Sequence, residues 1–225
     1  LLSDLQTGTM AELFARFLAA FGSDRLVLFE RFNYESVRRA YGRLFGRAVV
    51  PRYRLDECDV LVSLGADFLE TWVSPVEFAA QFARMHSFGY DREGLGNVSQ
   101  ARPGGRGSDS GPARLGWFAY VGARRSMTAG NADEFIQVPP GMEHAVARAI
   151  LAKLGGAGGR RADDDGPAHG PDDRLPETVA GERVARVAER LARAGRSLVL
   201  GGSMMGGDDS AALAAAELNR ALGAI

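Results

Sequence analysis

Met10, Leu13, Phe14, Phe17, Leu18 and Phe21 recur at helical spacing, an apolar stripe that predicts a core helix entered through Thr7-Gly8-Thr9 and closed by Gly22. Leu26-Val27-Leu28-Phe29 then reads as a strand. A second helix follows, with Val37, Ala40, Tyr41, Leu44 and Phe45 on one side and Gly46 past its end. Asp59-Val60-Leu61-Val62-Ser63-Leu64 is the pattern of a strand buried on both faces, and it stops at Gly65-Ala66-Asp67. Helix, strand, helix, strand with short connections predicts a parallel α/β layer with right-handed crossovers. Ligands of such sheets sit where strands end, which directs attention to the stretch from Gly65 to Trp72.

Beyond it, Ser74-Pro75 supplies an N-cap and a first-turn proline for a helix reaching Met85. The composition of 87–113 turns to Gly, Arg, Ser and Asp, as expected of a long surface loop. Arg114 to Gly122 predicts another buried strand, Phe135-Ile136-Gln137-Val138 a short one, Pro139-Pro140-Gly141 a turn, and 142–154 a helix. The glycines, prolines and Asp163-Asp164-Asp165 of 155–177 predict a linker. After it come a helix carrying Val184, Val187, Ala188 and Leu191, the strand Leu198-Val199-Leu200, the loop Gly201 to Gly207 and a helix from about Asp208. The expectation is a doubly wound, mostly parallel, Rossmann-like α/β protein, with one region over 1–154 and a βα-containing continuation over 178–225.

Composition narrows the function classes. The formal net charge of −1 lacks the basic surplus of a nucleic-acid binder, although Lys153 is the only lysine among 27 basic residues. Such an arginine bias is compatible with phosphate or carboxylate binding, and a GC-rich genome explains it more simply. A single cysteine, Cys58, leaves no internal disulfide, thiolate metal cage or cysteine-ligated cluster within these residues. No apolar run is long enough to span a membrane. Because the chain starts at Leu1 without methionine, it reads as an internal piece of a longer polypeptide.

Candidate chemistry is sparse. Ser63, Ser74 and Ser203 sit in no nucleophile elbow, His86, His144 and His169 have no acid partner pattern, and Cys58 lies between Glu57 and Asp59, acids that raise a thiol pKa. Three consecutive aspartates at 163–165 lack converging ligands from elsewhere. The glycine loop at 201–207 offers either a phosphate cradle or a tight βα turn, and it lacks both P-loop and dinucleotide spacing. Asp67 and Glu70 at the strand exit are the best placed carboxylates, for acid–base or ligand-binding work or for helix capping.

Four stretches taken in order carry a resemblance. Gly65-Ala66-Asp67-Phe68-Leu69-Glu70-Thr71, then Gly122 to Ala129 with Ala132-Asp133, then Pro140-Gly141-Met142-Glu143, and last Glu217 to Gly223 together resemble the molybdopterin oxidoreductase superfamily of dimethyl sulfoxide reductase type. The resemblance implies that Gly65, Asp67, Thr71, Arg124, Thr128 and Gly141 occupy pocket positions for molybdopterin guanine dinucleotide. It also shows departures. Asp67 and Phe68 replace the family's Asn-Pro, Gly122 stands in place of an acid, and Met142 and Glu143 replace Thr-Asp. An added carboxylate facing a pyrophosphate and a lost hydrogen-bond acceptor each weaken binding by roughly 1–3 kcal/mol, so the pocket positions are expected to be vestigial.

The wording from Ala66 to Glu77, with Asn131 to Phe135, is similar to the large iron-sulfur subunit of alternative complex III, whose molybdopterin-like domain carries no molybdenum. That likeness implies a scaffold and docking role in a quinol:electron-acceptor oxidoreductase, without catalytic residues here. It implies iron-sulfur clusters elsewhere in the full chain, haem c and quinol-oxidising membrane subunits as partners, and a peripheral place at the periplasmic face of the cytoplasmic membrane. The alternative is a divergent domain that still binds the dinucleotide through Gly65, Thr71, Arg124 and Thr128. On the scaffold reading, Phe68 and Trp72 fill the former cofactor volume.

Overall fold

The computed structural model describes residues 1–30, 32–87, 115–157, 179–203 and 209–224. The loop expected at 87–113, the linker expected at 155–177 and residues 204–207 of the glycine loop lie, apart from their edges, outside the described residues. The chain forms two compact units, Leu1–Asn33 and Tyr34–Ile225.

In the first unit, β1 (Leu2–Ser3) pairs in parallel with β2 (Val27–Leu28), joined by α1 (Thr9–Ala20). The predicted helix exists, but it is not a core helix. Of its stripe only Leu18 is buried, while Met10, Leu13 and Phe17 are exposed and Phe21, just past its end, is 73% exposed. The strand predicted at 26–29 is reduced to two residues and pairs with β1, so it does not enter the larger sheet. Two strands this short offer too little surface to cover an amphipathic helix.

The second unit is the doubly wound layer. Its strands β3 (Val60–Leu64), β4 (Trp117–Gly122), β5 (Glu134–Gln137) and β6 (Ser197–Gly201) lie in the order β5-β4-β3-β6, all parallel, with Val60 level with both Trp117 and Ser197. From β3 the chain steps outward to β4 and β5, then crosses back to place β6 on the other side of β3. The reversal puts a topological switch point between β3 and β6.

Alternation along each strand divides the core. Val60, Val62, Leu64, Ala119, Val121, Ile136 and Val199 face α5 (Glu143–Ala157), α6 (Gly181–Arg193) and α7 (Ser210–Leu222). Leu61, Phe118, Tyr120 and Leu200 face α2 (Glu35–Phe45), α3 (Pro75–Met85) and the short α4 (Met127–Gly130). The helices linking β3 to β5 thus occupy one face, and those between β5 and β6 the other, as right-handed crossovers require.

The outer edge of β6 is closed by a side chain. Asn219 of α7, fully buried, accepts from Val199 N–H at 2.8 Å and donates to Val199 C=O at 2.7 Å, taking the place of a further strand. This gives the Glu217 to Gly223 stretch a structural duty. Close approach of α7 to the sheet requires Gly201, where a Cβ would stand 2.4 Å from Ala211 O and 2.5 Å from Ala215 Cβ.

Candidate functional site

The sequence placed its candidates at the carboxyl ends of the strands, and the fold gathers most of them there. β3 ends at Gly65, whose φ of 70° lets the chain turn sharply while its N–H still bonds Val121 O at 2.9 Å. Ser63 Oγ, fully buried, donates to Ala66 O at 2.7 Å, so this serine fixes the turn and presents no nucleophile to solvent. Asp67 O then accepts the N–H groups of Glu70, Thr71 and Trp72 at 3.0, 2.9 and 3.0 Å. This winds 67–72 into a compact turn.

That turn is tied to the one after β4. The Tyr120 hydroxyl donates to Asp67 Oδ1 at 2.9 Å, the Ser126 hydroxyl donates to the same oxygen, and Arg124 Nη2 lies 3.1 Å from Asp67 Oδ2. The same guanidinium lies 3.4 Å from Glu70 Oε2, and Glu70 Oε1 accepts the Met127 N–H. Thr128 Oγ1, fully buried, accepts Leu69 N–H at 3.1 Å. Burial first, and the Asp67 carboxylate second, push the Tyr120 phenol well above its usual range. Asp67, Arg124 and Thr128 therefore meet in one network. Thr71 joins only through its backbone and is exposed.

Gly141, exposed with φ 83°, belongs to the turn before α5, and its carbonyl accepts from His144 Nδ1 at 2.8 Å. The Glu143 side chain lies over Gly65, within 3.6 Å of where a Cβ there would stand. Two clefts of about 710 and 580 Å³ lie at the opposite edge, where the strands begin, near Asp59, Trp117 and Ser197.

Beneath the network lies an aromatic cluster. Phe68 and Trp72 are 0% and 1% exposed; Phe68 packs on Phe82 and Phe118 at 5.4 Å, and Trp72 on Tyr53 and Phe78 at 5.0 and 5.8 Å. Trp72 Nε1 finds no acceptor among the described residues, so the indole is held by packing. The next residue, Val73, has φ 54°, a left-handed conformation that costs a β-branched side chain roughly 1–3 kcal/mol.

The other candidates are structural. Cys58 Sγ is buried and donates to Leu55 O at 3.0 Å. His86 stacks on Phe82 and meets Asp133 at 3.0 Å, while Asp133 accepts Phe118 N–H at 2.8 Å at the start of β4. Sequence reasoning missed Tyr120 and Ser126 as partners of Asp67. A signal existed for Tyr120, because a tyrosine in an otherwise apolar buried strand needs a partner for its hydroxyl.

The fold and strand ends define an α/β, Rossmann-like protein whose β3 and β4 turns are bound to each other. No protein-family model matches the chain. Over 97% of its length it is 25% identical to the menaquinone reductase molybdopterin-binding-like subunit of Nitratidesulfovibrio vulgaris, and it spans about 30% of that protein's length. The likeness supports a molybdopterin-oxidoreductase-like relationship.

Proposed function

We propose that the chain is a scaffold and docking region of a quinone-linked respiratory oxidoreductase subunit, related to the large iron-sulfur subunit of alternative complex III, and that it holds no molybdenum cofactor of its own. One observation carries the reading: Asp67 commits Tyr120, Ser126 and Arg124 to the chain itself. A pyrophosphate needs free donors and cations. At these strand ends it would instead meet Asp67, Glu70 and Glu143, with Arg124 already shared between two carboxylates. The residues present do not fit a polyanionic dinucleotide. The relative's name, a molybdopterin-binding-like subunit of a menaquinone reductase, supports the quinone side of the reading.

Iron-sulfur clusters then belong to other parts of a longer polypeptide. Haem c and quinol-oxidising membrane subunits are the proposed partners, and the periplasmic face of the membrane the proposed location. Peripheral attachment there is part of the proposal; among the described residues no helix is long and apolar enough to cross a membrane.

A second reading, a divergent dinucleotide-binding domain, draws on Gly65, Arg124 and Thr128 still lying together at parallel strand ends beside a switch point. Metal and pterin analysis of the purified full-length polypeptide separates the two. Iron without molybdenum or releasable pterin is expected; stoichiometric molybdenum and pterin would overturn the scaffold reading.

A further inference from the structure

The three donors that converge on the Asp67 carboxylate all come from β4 and the turn after it. Tyr120 and Ser126 are more than nine-tenths buried, and Arg124, 66% exposed, reaches in from the solvent side. None belongs to the segment that carries Asp67, so the donors come from β4 and its turn and the occupant from another turn. Two inward hydroxyls and a guanidinium around one carboxylate is also how proteins hold a free oxyanion, because charge-assisted bonds to a carboxylate are about twice as strong as neutral ones. Ser126 Oγ also accepts the Ala129 N–H at 3.1 Å as the cap of α4, so emptying the recess would deprive the two buried hydroxyls of their charged acceptor rather than of every partner, still at an unfavourable cost.

We propose that Tyr120, Ser126 and Arg124 form an oxyanion cradle and that Asp67 is its tethered occupant, closing the ends of β3 and β4 to free carboxylates and phosphates. Tethering makes the occupant hard to displace, since a side chain on a short turn acts at an effective concentration far above that of a free anion. Glu70 sets the ligand class. With its carboxylate 3.4 Å from the same guanidinium, a small singly charged carboxylate such as formate or acetate is accepted more readily than a polyanion. The inference deepens the scaffold reading and rests on it only for its meaning. Anion binding reports on the cradle, whereas metal and pterin content reports on the function, so either can fail alone.

The test matches anion to vacancy. Asp67→Ala removes the atoms of a formate ion and Asp67→Gly those of an acetate ion. Melting of the full chain and of both variants would be followed in about 0.5 M sodium formate, acetate, phosphate or chloride at matched ionic strength. Both variants should melt below the parent in chloride. Formate should restore about half of the loss in Asp67→Ala, acetate should do so in Asp67→Gly, and the parent should show no such preference. Adding Ser126→Ala or Arg124→Gln to Asp67→Ala should abolish the recovery. If Asp67→Ala does not fold in chloride, refolding from urea into formate replaces melting as the readout. Folding in formate alone supports the cradle. Failure in both salts, or recovery without anion preference, overturns it.

Discussion

The unit Leu1–Asn33 and the β3–β4 half of the second unit are both built from parallel strands and amphipathic helices, and they treat their apolar faces in opposite ways. In the larger unit, Trp72, Phe68 and Phe118 are sealed between α3 and the sheet. In the smaller unit, Phe17, Phe21, Val27, Leu28 and Phe29 are exposed, and most of the large apolar side chains exposed among the described residues belong to it. Periodicity establishes that a helix has an apolar side. What covers that side depends on how many strands and helices surround it, and four strands with helices on both faces suffice where two short strands do not.

Substitutions sharpen the contrast. The largest effect is expected for Trp72→Ala, which opens a cavity among Tyr53, Phe78 and the turn after β3 and should cost roughly 3–5 kcal/mol in urea unfolding. A neutral result would mean that the indole does not fill the core. Asn219→Ala comes next. It strips both polar groups of Val199 of their partner at the edge of β6, and a loss of roughly 2–4 kcal/mol is expected, together with faster amide exchange at Val199.

A smaller effect lies in pH. Burial raises the Tyr41, Tyr53 and Tyr120 phenols above their usual range. The folded chain therefore keeps protons that the unfolded chain releases above about pH 10, and stability should be intact below that pH and fall as pH rises through the alkaline range. Asp67→Asn removes a cause of the Tyr120 shift and should make the decline shallower. An unchanged slope would separate Asp67 from Tyr120.

The smallest effect is expected at Phe21→Ser. An exposed side chain should contribute within about 0.5 kcal/mol, whereas a loss several times larger would show that this face is covered in the folded protein and would remove the contrast between the two units.

Much of the larger unit was legible because each buried strand is a short apolar run bounded by glycine or a polar turn, as at Leu64-Gly65 and Val121-Gly122. The place of the β3 exit was legible for the same reason, since Gly65-Ala66-Asp67 marks the end of an apolar run. The bonding of that exit to the turn after β4 was not. Asp67 and Ser126 are far apart in sequence, and no local rule pairs them; only the register that sets Ser63 level with Tyr120 brings their turns together. β2 misled because Leu26 to Phe29 fits a buried strand by composition, while its partner proved to be the two-residue β1. Asn219 was quoted as part of a resemblance, and its grip on Val199 becomes visible only once β6 is known to lie at an edge.

Amide hydrogen exchange in the turns after β3 and β4 tests the closure most directly. The Leu69, Thr71, Trp72 and Met127 amides donate to Thr128 Oγ1, Asp67 O and Glu70 Oε1. Protection within about tenfold of the β4 amides, and well above that of Leu1–Asn33, is the result that closed strand ends give. Exchange at the rate of an unstructured chain would contradict it, and would return these turns to the state of an open, ligand-ready loop.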